Sequence, residues 1–210
     1  MAKPKQIHVV RQGQHLFNIA LQHGVPASDL WNAGDNAGLA KEGRAPAILA
    51  PGDLLTLPVA ERKFLPLKVG SKNRFVATVP VMTVAVRALD ENGEAVANEP
   101  WEAPDLGATG TTKADGTILI EKVPLKTDYV DVHLPKRLRI LRLNVGHLDP
   151  VSTPSGRAQR LGHLGYLPVG SKTPPDDALQ WALDRFKTTE APHAADDGAV
   201  ADALVKAHGV

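Results

Sequence analysis

The chain of 210 residues contains no cysteine. That absence removes disulfides, cysteine-ligated zinc and every thiol nucleophile, including the catalytic cysteine of one class of cell-wall peptidase. Aromatic residues make up only 4% of the chain, so no core here rests on large rings. Excess charge is also missing: 24 Lys and Arg against 23 Asp and Glu leave a formal net charge of +1. A protein that neutralises many phosphates needs far more, and so does a polybasic membrane anchor. No nucleic-acid partner is expected. No apolar run approaches the roughly 18 residues of a membrane span, so no membrane insertion is expected either. The opening MAKPKQIHVV lacks the apolar stretch of a secretory leader, and cytoplasmic synthesis is the expectation.

What is present suits a folded protein. Apolar residues supply 43% of the chain and charged residues 22%, which is ordinary globular composition. The length fits one large domain or two to three small ones. The pattern divides into three pieces, giving a multidomain α+β chain.

The first piece is bounded at 1–62. Ile7, Val9 and Val10 read as a short strand, and Gly13 supplies a tight turn. Leu16, Ile19, Ala20 and Val25 have helical spacing, with Gly24 as the stop. A second short helix starts at Ala27 or Ser28, with Ser28 as the candidate N-cap, and carries Leu30 and Trp31. After the Pro51-Gly52 turn, Leu54, Leu55 and Leu57 form a closing strand ended by Pro58. The order βααβ lets the two strands pair antiparallel with both helices on one face.

Val10, Gly13, Leu16, Ile19 and Ala20 spell V-x-x-G-x-x-L-x-x-I-A, and Pro51 to Leu55 with Pro58 spell P-G-D-x-L-x-x-P. This pair of motifs resembles the LysM module. The resemblance implies binding of N-acetylglucosamine glycans such as peptidoglycan, in a shallow groove between two loops. Carried onto this chain, the groove is Gly13, Gln14, His15 and Leu16 on one side and Ile48, Leu49, Ala50, Pro51 and Gly52 on the other. Gln14 stands where the family usually has aspartate, and segment 33–50 is longer than usual, placed to lid or block the groove.

The second piece, 73–144, carries Asn92-Gly93 and Asp115-Gly116, both strong turn signals. Strands are expected at Val81 to Arg87, Thr117 to Val123, Tyr129 to Leu134 and Arg137 to Leu143. Short strands so spaced suggest an antiparallel β-sandwich, and the stretch resembles immunoglobulin-like or transthyretin-like spacers. The run PKRLRILRLN, Pro135 to Asn144, is basic without interleaved aromatics, as on the edge of a sheet.

The third piece, 145–210, reads as three helices: Arg157 to Leu164, Asp176 to Thr188, and one capped by Asp196 or Asp197. Val151, Gly156, Arg160, Leu161, Leu164, Gly165 and Tyr166, followed by Ala178, Leu179 and Phe186, resemble the three-helix peptidoglycan-binding domain found beside wall enzymes.

Candidate chemistry is thin. The histidines show none of the short spacings of a zinc site, so no metal and no cofactor are expected. Ser155 lies outside a nucleophile elbow and reads as a helix cap. The pairs Asp90-Glu91, Asp176-Asp177 and Asp196-Asp197 sit at turns or helix starts rather than across a cleft. Trp31 and Trp181 fall on apolar helix faces and are expected in cores. No catalytic residue is assigned, and the chain reads as a non-enzyme.

Two functions follow from the resemblances. One is non-catalytic peptidoglycan binding through two tethered modules. At a Kd of about 1 mM each module would supply roughly −4 kcal/mol, and tethering could tighten net binding by about 10²–10⁴. The other is a structural adaptor of a contractile injection, phage-tail-like or type VI secretion machine, which binds protein and travels with the machine to the cell envelope.

Overall fold

The computed structural model describes residues 6–59, 66–75, 79–168, 170 and 173–209. Parts of all three expected units lie outside the described residues, including the opening 1–5 and 60–62. The described chain is mixed α and β, with antiparallel sheets throughout.

In the first unit, β1 (Gln6–Val9) pairs antiparallel with β2 (Leu54–Leu57), Ile7 opposite Thr56 and Val9 opposite Leu54. Between them lie α1 (Leu16–His23), α2 (Ala27–Trp31) and α3 (Ala37–Lys41). Helix α1 buries Leu16, Ile19 and Ala20 and ends at Gly24, whose φ of 65° suits a residue without Cβ. Together with Leu30, Leu39, Leu49, Leu55 and Leu57 they form one core. Full burial of each such side chain contributes roughly 1.5–3 kcal/mol. Buried Asn36 ties this core to the sheet. Its Nδ2 donates to the Leu30 and Thr56 carbonyls at 2.7 and 3.0 Å, and its Oδ1 accepts from the Thr56 N–H at 2.8 Å.

Two expectations change here. Pro26, not Ser28, occupies the N-cap of α2, and it caps without a side-chain bond. Ser28 already lies inside the helix and turns its hydroxyl to Asp29. The expected order βααβ gains a helix, since segment 33–50 carries a 3-10 turn, α3 and an Ala45–Ile48 bridge between α2 and β2.

The second unit has two antiparallel sheets that share one core. One pairs β3 (Val81–Arg87) with β6 (Thr117–Pro124). The other has the order β5-β4-β7-β8, from β4 (Pro100–Ala103), β5 (Ala108–Thr111), β7 (Tyr129–Leu134) and β8 (Arg139–Asn144). Ile118, Ile120 and Val123 of one sheet meet Trp101, Val130, Val132 and Leu134 of the other. Gly110 lies directly across from Trp101, and a Cβ there would come within 2.7 Å of the indole ring.

Strand β8 begins at Arg139 rather than Arg137, because Pro135–Arg137 forms a 3-10 turn. It lies at the sheet edge. Most of its neighbourhood's positive charge is answered locally. Arg137 holds Glu99 at 2.8 Å, and Arg142 holds Asp131 at 2.7 Å while stacking over the Tyr129 ring. The Arg142 guanidinium holds the Asp131 carboxyl below its ordinary range.

The third unit packs α4 (Pro154–His163), α5 (Asp176–Glu190) and α6 (Asp197–His208) around Leu161, Phe186 and Leu204. Helix α4 starts three residues earlier than its apolar spacing suggests, at Pro154. A proline suits the first helical position because its missing N–H is not needed there. Thr153, not Ser155, is the cap, accepting from the Gly156 N–H at 3.1 Å. Asp196 caps α6 as expected. Trp181 is 56% exposed, outside the core, with the Arg185 guanidinium 4.8 Å from its ring.

The units touch one another. Arg87 of β3 donates to the Ala207 carbonyl of α6 at 3.2 Å. The connector 145–153 between sandwich and helices lies against the first unit, as described next.

Candidate functional site

The candidate groove begins at the loop after β1. Gly13 turns the chain with φ 85°. Gln14 folds back on its own unit: its Oε1 accepts from the Arg11 N–H at 2.9 Å and lies 2.9 Å from His8 Nε2. His8 in turn stands 3.1 Å from His23 Nε2. His15 is buried and caps α1, its Nδ1 accepting from the Asn18 N–H at 3.4 Å while its own N–H donates to Asn18 Oδ1 at 3.0 Å. With Nδ1 as acceptor, the proton sits on Nε2, a buried atom with no partner among the described residues. Burial pushes the His15 imidazole below the ordinary histidine range.

The opposite loop is tied to the first. The Leu16 N–H donates to the Pro46 carbonyl at 2.9 Å. Arg44 makes a two-pronged contact with Asp53, Nε to Oδ2 at 2.9 Å and Nη2 to Oδ1 at 3.2 Å. Asp53 Oδ2 also accepts from the Ala50 N–H at 2.8 Å. Leu16, Leu49 and Ala50 are buried, Ile48 is half-buried, and Pro51 and Gly52 are exposed. The nine residues of the sequence-based site lie on two segments tied together by the Leu16–Pro46 bond, and Leu16, Leu49, Ala50 and His15 are spent inside the fold.

The connector covers the first loop from outside. A Cβ on Gly146 would stand 2.6 Å from the Gly13 carbonyl oxygen and 3.2 Å from His15 Cδ2. A Cβ on Gly13 would stand 3.0 Å from His147 Nε2. Gln12 Nε2 donates to the His147 carbonyl at 3.2 Å and to Asp149 Oδ1 at 3.3 Å. Farther along, Arg44 Nη1 donates to Ser152 Oγ at 3.0 Å, and Ser152 Oγ donates to the Glu42 carbonyl at 3.1 Å. Gln159 of α4 holds the same connector, accepting from the Asp149 N–H at 2.7 Å and donating to the His147 carbonyl at 3.0 Å.

No signal in the sequence pointed to this cover, because its partners lie more than a hundred positions apart. Each contact is also made by an unremarkable side chain or by backbone.

Elsewhere, a surface cleft of about 330 Å³ lies between the start of α4 and α5, lined by Ser152, Arg157, Asp176, Leu179, Gln180 and Leu183. Among the described residues no three His, Asp or Glu side chains stand together as metal ligands, and no helix is long and apolar enough to cross a membrane. Two of the carboxylates singled out in the sequence hold local structure. Asp90 closes a turn by accepting from the Asn92 and Glu94 N–H groups, and Asp196 caps α6.

No family model, no curated protein and no solved structure matches this chain.

Proposed function

We propose that the chain is a non-catalytic structural adaptor, a protein that binds other proteins within a larger assembly. The observation that carries this reading is the covered loop. The β1–α1 turn, to which the LysM resemblance assigns sugar contacts, is occupied by the chain's own residues Gly146 and His147. A turn already packed against protein serves cohesion, joining three small units into one scaffold. The resemblance supplies the class of assembly: a contractile injection, phage-tail-like or type VI secretion machine.

The test is co-sedimentation. Particle fractions from cells that make the protein are run on a density gradient and probed for the chain. The adaptor reading predicts that the chain travels with the particles and is released by moderate denaturant. Recovery only in the light soluble fractions contradicts it.

Peptidoglycan binding remains a second reading on one specific observation. Pro51 and Gly52 are exposed at the far rim of the loops, and His15 Nε2–H lies behind the cover without an acceptor among the described residues. A sugar acceptor reaching that donor would need the connector to lift. The full chain with insoluble peptidoglycan tests this reading directly.

A further inference from the structure

Two hairpins of the second unit use the same turn. After β4 the chain runs Pro104-Asp105-Leu106 as a 3-10 turn and then Gly107, with φ 59° and ψ 27°, before β5. After β7 it runs Pro135-Lys136-Arg137 as a 3-10 turn and then Leu138, with φ 51° and ψ 36°, before β8. Each closes with the same bond, Gly107 N–H to the Pro104 carbonyl at 3.0 Å and Leu138 N–H to the Pro135 carbonyl at 3.3 Å. The first hairpin is an internal control for the second. It shows that this turn needs no side chain at its left-handed position.

Leucine is a poor occupant of that position, because its Cβ crowds the following carbonyl. Strain of this kind is ordinarily offset by burial. Here nothing offsets it: Leu138 is 94% exposed, and Ile140, two residues on, is 62% exposed. The fold thus bears a strained backbone and a bare leucine at one tip, with the partly exposed Ile140 beside it, and burial among the described residues does not repay the strain. A side chain kept at a cost to the fold marks a binding position.

The surroundings say what it binds. Among the described residues Lys136 makes no ion pair within 4.0 Å, though its charge helps hold the Glu99 carboxyl below its ordinary range, and Arg137 is held by Glu99 and lies 4.0 Å from Asp90. Arg139 lies 3.8 Å from the exposed carboxylate of Glu91. The tip is apolar at its point, with a rim of mixed sign in which Lys136, Arg137 and Arg139 stand beside Asp90, Glu91 and Glu99. A sheet of anionic headgroups would repel Glu91 and Asp90. A protein pocket with a polar rim accommodates both signs.

We infer that the β7–β8 hairpin tip is a protein-docking point, in which Leu138 enters an apolar pocket on a partner protein and Lys136 meets a carboxylate on its rim. This rests on the adaptor reading and names the surface through which it acts.

The experiment uses the full chain, tagged and chemically crosslinked in the cells that make it, with partners quantified by mass spectrometry. Leu138→Gly and Lys136→Glu are compared with the wild type and with Val69→Asp, a control at another bare apolar side chain, 97% exposed. Vesicles of phosphatidylcholine with added phosphatidylserine serve as the lipid probe. The inference predicts that one partner falls by about tenfold or more with both tip variants and is unchanged by Val69→Asp. It also predicts that Leu138→Gly melts no lower than wild type, and about 2–4 °C higher if the strain is fully released. A partner captured equally by Leu138→Gly overturns the docking point and leaves the adaptor reading standing. Capture of no protein by the wild type overturns both. Leu138-dependent binding to the vesicles replaces the protein pocket with a membrane and overturns the inference as stated.

Discussion

Gly146 packs against Gly13 so closely that a Cβ on Gly146 would sit 2.6 Å from the Gly13 carbonyl oxygen. The two residues belong to different units of the chain, and their contact seats the connector on the loop that the LysM resemblance assigns to sugar. Gly146 also has φ 75°, a conformation that side chains rarely adopt.

Replacing Gly146 by valine therefore acts twice, through strain and through collision with backbone that has no flexible end to move. The expected cost is about 1–3 kcal/mol. Hydrogen exchange should speed up at Gly13, Gln14 and Gln12 before it does in the core of α1. Unchanged exchange there would mean that the connector is not seated on the loop.

The Arg44–Asp53 pair should matter more than a surface ion pair. Both side chains are mostly buried, at 12% and 8% exposure, and Asp53 also accepts from Ala50. Asp53→Ala takes the partner from Arg44 Nε and Nη2 and from the Ala50 N–H together, leaving Arg44 its contacts with Glu42 and Ser152. A loss of about 2–4 kcal/mol is expected in urea unfolding. A double-mutant cycle with Arg44→Ala should return a coupling of at least about 1 kcal/mol. Coupling near zero would show the pair to be decorative.

Asn36→Ala removes three hydrogen bonds at a fully buried position, those to the Thr56 N–H and to the Leu30 and Thr56 carbonyls. About 2–3 kcal/mol is the expected loss. A variant with wild-type stability would contradict the role given to Asn36 in joining α2 to β2.

Stability should fall in mild acid. Burial holds the folded-state pKa of His15 below its ordinary value of 6.5, and burial with the nearby His8 does the same for His23. The unfolded chain then binds more protons than the folded one in that window. Stability contributed by the neutral imidazoles is complete above about pH 6.5 and is lost as pH drops toward the folded-state values. His15→Asn keeps a capping side chain and removes one titration. Its unfolding free energy should vary less between about pH 7.5 and pH 5 than that of the wild type. An equal slope would remove His15 from the account.

Much of the fold could be read locally. Gly24 ends α1 and Asp196 starts α6, both because the signal and the structure lie within a few residues of each other. Short elements escaped where a cap competes with a neighbour of the same kind. Thr153 and Ser155 are both hydroxyls near the start of α4, and only the packing of Gly156 against the Pro150 carbonyl settles which one caps. Trp181 has the helical spacing of a core residue, yet the core of the third unit is filled by Phe186 and Leu204 on an adjacent stripe.

The candidate site was legible only in part. Its two loops carry local motifs, and the chain brings them together through Leu16 and Pro46. Their cover depends on Gly146 and Ser152, whose significance exists only in three dimensions. A glycine after a strand ordinarily signals a turn, and here it also permits a close approach of two backbones.

The most direct test of the central claim is sedimentation of the full chain with insoluble peptidoglycan at high micromolar protein. With the Gly13 loop serving as an internal joint, the account predicts that the chain stays in the supernatant. Saturable pelleting of the wild-type chain, with the connector in place, would contradict it and return the loops to the sugar.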